Sequence, residues 1–281
     1  MRRADGTRVK NEVPMYYLLP QFLPHKYDAM NMITVDIPEE PLRKYMNEKH
    51  RKGHTVSHMA LIMTAYLHMA AEFPCVNRFI VNRKIYQHDD FTISLVVLRP
   101  GTVGNDDTMG KLHLDFTDTV FDVQRKIDEY ITVNTATEQE NSLDKAMRVF
   151  CKMNGILRVV VGLVRWVDRN GLLPKSLIDI SPFHASLLMS NLASIRTNHI
   201  YHHVYDFGTT SVTMTMGNLH EVPKRGPDGT IVLERCLPLG IVMDERIASG
   251  HYLGLAFSKV KELLANPELL ESPGVVEPIA K

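Results

Sequence analysis

The stretch LPLGIVMDERIASG, residues 237–250, decides the reading of this chain. Its first half is β-rich and apolar. Asp244, Glu245 and Arg246 then place three charges together, and Ser249-Gly250 opens onto a periodic segment. There Tyr252, Leu253, Ala256, Phe257, Val260, Leu263 and Leu264 fall at helical spacing, with Pro267 as a stop. A buried strand, a charged turn and an amphipathic helix in immediate succession predict one supersecondary unit with polar groups at the joint.

Upstream, SLLMSNL (186–192) reads as a second strand ending in Ser190-Asn191-Leu192, and TSVTMTMG (210–217) as a third. Further toward the N-terminus, MNMITVDIP (30–38) predicts a strand ended by its proline. PLRKYMNEKHRK (41–52) predicts a polar-faced helix. Residues 55–73 predict a helix apolar on more than one face, buried on both sides and stopped at Pro74. Residues 79–98 alternate as two or three strands with Asn82-Arg83 at a hairpin tip. Residues 101–107 read as a loop.

Val120, Val123, Ile127, Tyr130 and Ile131 have helical spacing behind Asp118 as a cap, and a long helical region is expected over 143–167, broken near Asn154-Gly155. Pro14, Pro20 and Pro24 predict an irregular arm over residues 1–29, crossing the surface or reaching a neighbouring subunit. The organisation expected is that arm, one α+β domain over 30–270 and a tail over 271–281.

Composition limits the function classes. The chain has 281 residues, 44% hydrophobic and 23% charged, with 32 basic residues against 32 acidic. Charge balance removes the electrostatic argument for nucleic acid or an anionic membrane. The longest apolar stretch, 156–167, contains Arg158 and Arg165, whereas a membrane span needs about 20 apolar residues. Cys75, Cys151 and Cys236 are scattered and odd in number, which suits a reducing cytoplasm and no disulfide framework.

Several motifs nearly fit a chemistry. Gly104 to Lys111 resembles a phosphate loop, but the spacing is one residue too long and Leu112 stands where a metal-binding hydroxyl belongs, so a surface turn is the better reading. His50, His54 and His58 would align on one helix, yet Gly53 and Thr55 predict a boundary between them. His199, His202 and His203 form a second cluster, in which a strand would send the last two to opposite faces. Asp144-Lys145-Ala146 has the tripeptide of a lipoyl attachment site but the spacing of a helix. No metal site and no lipoyl attachment are expected.

Taken in order, Ser190-Asn191-Leu192, the Asp228-Gly229-Thr-Ile-Val hairpin, Leu237 to Gly250 and the last helix resemble the catalytic domain of dihydrolipoamide acyltransferases of 2-oxo acid dehydrogenase complexes. Chloramphenicol acetyltransferase shares that fold. Glu72-Phe-Pro-Cys-Val-Asn77-Arg78 resembles the family's E-F-P-x-L-N segment, and Asn170-Gly-Leu-Leu-Pro174 its approach to the Ser-Asn-Leu strand. The resemblance spans about residues 30–270, with nothing in the chain resembling a lipoyl or subunit-binding domain. It implies a mixed sheet flanked by helices, a homotrimer that assembles further into cubic or dodecahedral shells in some relatives, and a coenzyme A thioester as substrate.

In the family's D-H-R-x-x-D-G motif the His is the general base toward a thiol, the Asp (or Asn) orders its loop, and a Ser at the strand end stabilises the oxyanion. The resemblance puts Ser190 at the oxyanion position, with Asn191, Arg246 and Gly250 matching substrate-site positions. Glu245 stands where the His belongs and Ser249 where the Asp belongs. A thiol has a pKa of about 8.5, imidazole about 6.5 and a carboxyl about 4.3. Proton transfer to an ordinary carboxylate is uphill by about 5.7 kcal/mol, against about 2.7 to imidazole. That difference predicts a rate penalty on the order of a hundredfold. Burial raises a carboxyl toward the useful range, and an adjacent cation such as Arg246 opposes this. Two readings follow: acyl transfer between coenzyme A and a thiol or hydroxyl acceptor with Glu245 as an unusual base, or a catalytically inactive acyltransferase fold acting as an oligomeric scaffold or binder. His251, and the near-motif His202-His203-Val-Tyr-Asp206-Phe-Gly208, are alternative sources of an imidazole.

Overall fold

The computed structural model describes residues 3–10, 13–98, 107–135, 152, 155–226 and 228–275. The strands are β1 (Gly6–Arg8), β2 (Met30–Pro38), β3 (Arg78–Val81), β4 (Lys84–His88), β5 (Phe91–Leu98), β6 (Asp107–Leu114), β7 (Leu187–Asn191), β8 (Val212–Met216), β9 (His220–Arg225) and β10 (Ile231–Asp244). The helices are α1 (Pro14–Phe22), α2 (Glu39–Arg51), α3 (His58–Glu72), α4 (Val120–Thr135), α5 (Leu157–Arg169), α6 (Lys175–Ile180) and α7 (Gly250–Ala265).

The large sheet runs β2-β10-β8-β7-β5-β6, with β9 added to the free half of β10. β10 is long because it serves two partners in turn. Residues 231–236 pair with β9, and 236–244 pair with β2 on one side while 239–243 pair with β8 on the other. The β8–β7 and β7–β5 pairs are parallel and the rest antiparallel. A small sheet, β1-β4-β3, completes the strands among the described residues.

One face of the large sheet carries the core. α3 is buried from Ala60 to Ala71 and packs against α4 and α7, which explains why its apolar residues occur all round. Ser57 caps it, its hydroxyl accepting the Ala60 N–H at 3.1 Å. The other face is covered too. In β8, Met214 and Met216 join the core cluster, while Thr213 and Thr215 are buried with their hydroxyls donating to the carbonyls of His202 and Ile200. The alternation of Thr and Met thus reports two different coverings, apolar helices below and a polar-tethered loop above. Gly240 allows that loop to lie flat, since a Cβ there would stand 2.4 Å from the Ile200 carbonyl oxygen.

The strands expected over 30–38 and 79–98, the helix over 41–52 and the final helix are present. Elsewhere the structure departs from the sequence reading. Residues 1–29 are not wholly irregular: Pro14 occupies the first helical turn, where no amide donor is needed, and Pro20 falls near the end of α1. β1 pairs with the chain's own β4. Residues 107–111 belong to β6 and are not a surface turn. The cap of α4 is Thr119, whose backbone N–H and hydroxyl both bond the Asp122 carboxylate, while Asp118 instead accepts from Lys126 and the Asp115 N–H. Gly101 to Asp106, Asp144-Lys145-Ala146, Cys151 and most of 143–154 lie outside the described residues. Among the described residues, no helix is long and apolar enough to cross a membrane.

Candidate functional site

The joint between β10 and α7 is organised by a buried ion pair. Asp244 is fully buried and Arg246 is 1% exposed. The guanidinium donates to both carboxylate oxygens, Nε to Oδ1 at 2.8 Å and Nη2 to Oδ2 at 2.6 Å, and the Arg246 N–H closes on Oδ1 at 3.1 Å. A third guanidinium donor, Nη1, reaches the Leu23 carbonyl at 2.7 Å. This forked geometry is what arginine supplies and lysine does not. It also ties the segment after α1 to the end of the sheet.

Glu245, between the paired residues, turns away and is half-buried. Its Oε2 accepts from the Asn31 side-chain amide at 2.6 Å, and its backbone N–H donates to Ala29. The adjacent cation therefore belongs to Asp244 and does not pair with Glu245. Ser249 is the N-cap of α7, its hydroxyl accepting from the Tyr252 N–H at 3.1 Å. Gly250 is exposed in the first turn, with open space where a side chain would stand, and His251 is exposed beside it.

Ser190 lies in a cross-sheet row. It pairs with Thr215, Thr215 with Gly240, and Gly240 with Thr34. Its hydroxyl has no hydrogen-bond partner among the described residues. Asn191 beside it uses Oδ1 to hold the Ser194 N–H at 3.2 Å, shaping the turn after β7. The register separates the predicted pair. Glu245 is five residues along from Gly240, about 17 Å at ~3.3 Å per residue, and two strands away, about 10 Å more. Within the chain Ser190 and Glu245 thus sit about 20 Å apart at opposite ends of the sheet.

The imidazoles do not repair the gap inside the subunit. His199 sits over this row, with Nε2 3.1 Å from the Thr34 hydroxyl, but Gly240 beneath it is two strands, about 10 Å, from Ser190. His202 and His203 lie in the loop over β8, not in a strand, and their rings stack at 4.7 Å instead of facing opposite ways. Desolvation pushes the pKa of His202 down, as it does for His58 and His68. Asp206 takes no catalytic partner of the near-motif: it accepts from His25, from the Lys26 N–H and from Arg165, each at 3.2 Å. His50 lies within α2, His58 opens α3, and His54 packs on Phe121 between them, so they share no face. Among the described residues no three metal-ligating side chains gather.

The sequence reading missed a buried chain of polar groups. Arg3, 3% exposed, donates to Asp5 at 2.8 Å and to the Asp168 carboxylate at 2.7 Å. His184 lies 3.2 Å from that carboxylate through Nε2, and its Nδ1 is 2.8 Å from the Ser181 hydroxyl. The order Ser, His, Asp is that of a nucleophile relay. Here, however, Arg3 neutralises the aspartate and Ser181 is held in the same turn, so the chain of bonds pins α5 to the N-terminus. No local motif announces it, because residues 3, 168 and 184 meet only in the folded chain.

The mixed sheet, the strand ending at Ser190 and the charged joint before the last helix define the class: the chloramphenicol acetyltransferase-like fold of the dihydrolipoamide acyltransferase catalytic cores. Among solved structures, a probable dihydrolipoamide acetyltransferase from Listeria monocytogenes is 14% identical, with 97% of this chain and 98% of that one covered and a TM-score of 0.57. The cubic core of a pyruvate dehydrogenase multienzyme complex matches at 13% identity over 93% of this chain and 94% of that one, also at 0.57. Dihydrolipoamide acetyltransferase of Azotobacter vinelandii, whose catalytic mechanism was probed at a serine, a histidine and an asparagine, gives 13% identity, coverage of 93% and 94%, and a TM-score of 0.56. No protein-family model matches the chain, and no curated protein matches it in sequence.

Proposed function

We propose that this protein is a self-associating acyltransferase fold whose histidine-dependent transfer centre has been dismantled, and that it works as an oligomeric scaffold or binder. The observation that carries this is Glu245, which the resemblance puts at the general-base position: its carboxylate is held by Asn31. Ser249, which the resemblance puts at the loop-ordering position, is a helix cap. The frame around them, the Asp244–Arg246 pair, is intact, so the fold is retained without the base. Support for self-association comes from apolar side chains left in water, such as Phe22 at 76% exposure, Val159 at 72% and Ile231 at 78%. The likeness to a protein that builds a cubic core supports the same reading.

A second reading has its own observation. The Ser190 hydroxyl is unpartnered and half-buried at the end of β7, so a copy of the chain could place its Glu245 opposite a neighbour's Ser190 and transfer an acyl group from coenzyme A. Thiol release from acetyl-CoA and longer acyl-CoAs, with thiol and hydroxyl acceptors, separates the two. The scaffold reading expects no acceptor-dependent turnover in the wild type and a trimer or larger particle by light scattering. Turnover that collapses in Ser190→Ala would establish the transferase instead. A gain of rate on the order of a hundredfold in Glu245→His would show that an otherwise intact centre lacked only its base. A monomer in solution would remove both readings.

A further inference from the structure

A cavity of about 440 Å³ opens where five segments meet: residues 24–26, the β3–β4 hairpin, the C-terminal half of α5, residues 206–208 and Arg246. That volume is in the range of small-molecule sites. Its wall carries Lys26, Arg83, Arg165, Arg169 and Arg246. Two of these have carboxylates of their own or shared ones: Arg246 belongs to Asp244, and Arg165 shares Asp206 with His25. Asp168, the other acid of the wall, is taken by Arg3. Lys26, Arg83 and Arg169 are left without a carboxylate partner among the described residues. Three cations with no carboxylate in direct contact thus line one cavity in a chain whose net charge is zero.

Two of the three are placed in ways that packing alone does not require. Lys26 is 2% exposed, and its ammonium donates to the carbonyls of Gly208 and Thr210 at 2.9 and 2.8 Å. An ammonium has three donors, so one remains for a ligand. Arg83 is the second residue of a two-residue hairpin, between Val81 and Lys84, which pair with each other. Asn82 and Arg83 have φ of 49° and 58°, the left-handed geometry of a turn whose second position glycine ordinarily fills. A bulky cation held there, on a cavity wall, is a strained residue at a site with a use for it.

We infer that this cavity binds a small organic phosphate, with Lys26 at its floor and the Arg83 and Arg169 guanidiniums gripping phosphoryl oxygens at its mouth. Guanidinium forks fit phosphate oxygens in pairs. The apolar part of the wall, with Pro24, Ile80 and Phe207, gives the organic portion a place to lie. None of the three cations is a position that the resemblance assigns to acyl transfer; Arg246, on the same wall, is one, and it is held by Asp244.

Calorimetric titration of the full chain with pyrophosphate tests it, with ATP, a sugar bisphosphate and citrate as further arms. Saturable binding of at least one phosphate-bearing arm is expected, weakening as salt rises. Arg83→Gly and Arg169→Gln should each weaken it tenfold or more, and Arg83→Lys should restore part of the loss. Arg83→Gly suits the turn, so lost binding cannot be put down to lost folding, and the thermal midpoint of each variant verifies this. Absence of binding in every phosphate arm, binding of citrate alone, or an affinity unchanged in Arg83→Gly and Arg169→Gln would overturn the assignment.

Discussion

Removing the Asp244 carboxylate is the sharpest test of how the joint before α7 holds. Asp244→Ala leaves Arg246, 1% exposed, with two free guanidinium donors and a buried positive charge that pairs with no other carboxylate among the described residues. Breaking one side of a buried ion pair costs about 3–5 kcal/mol, mostly the cost of the stranded charge. Against a total stability of about 5–15 kcal/mol this is a large share. With a urea dependence of about 3 kcal/mol per M, the unfolding midpoint should fall by about 1–1.7 M. The assay is equilibrium urea unfolding followed by tryptophan fluorescence and circular dichroism, at one fixed protomer concentration because association adds to apparent stability. The double variant Asp244→Leu, Arg246→Met should recover most of the loss, since replacing both partners removes the uncompensated charge. A single-variant cost below about 1 kcal/mol, or a double variant no better than the single, would refute the account.

The remaining predictions use other parts of the structure. Arg83→Gly should stabilise the protein: leaving the left-handed region returns about 1–2 kcal/mol, and the added chain entropy takes back about 0.5–1. The result is a melting midpoint higher by about 1–3 °C in differential scanning fluorimetry. Ser249→Ala should cost about 1 kcal/mol through the lost cap of α7, measured by urea unfolding, without altering any thiol-release rate. Lys26 has its pKa pushed down to about 8 by desolvation, from an ordinary 10.5. Between those values the unfolded chain binds more protons than the folded one, so stability contributed by this site should rise as pH increases from about 8 to 10.5. Lys111, also lowered to about 8 by burial, acts in the same direction, so the informative quantity is the flatter slope of Lys26→Met relative to wild type.

What the sequence by itself determined was local and periodic. α3 could be read as buried on both sides because apolar residues cover more than one of its faces and Pro74 stops it, and α7 as amphipathic because its stripe repeats over four turns. Asn82-Arg83 announced a hairpin from its place between two alternating runs. The Ser-Asn-Leu strand end and the charged joint at 244–246 pointed to the acyltransferase fold. Where the local signal was weak, the reading failed: β6, with Asp107, Gly110 and Lys111 among its residues, and β9, exposed and interrupted by Pro223, carry little apolar alternation. α1 was hidden by Pro14, which its first turn tolerates, and by Pro20, which the helix carries inside it.

Only the tertiary structure decided the partners. Arg246 could have paired with Glu245 beside it, and chose Asp244 because the end of β10 buries that carboxylate and leaves its neighbour at Asn31. The distance between Ser190 and Glu245 depends on the register of β7, β8 and β10, which no stretch of sequence states. The cationic cavity draws on residues near 26, 83, 165 and 207, none close to another along the chain. Backbone periodicity is set within a few residues and is written where it acts. Desolvation and charge pairing depend on which remote segments the fold brings together, and that is a property of the whole chain.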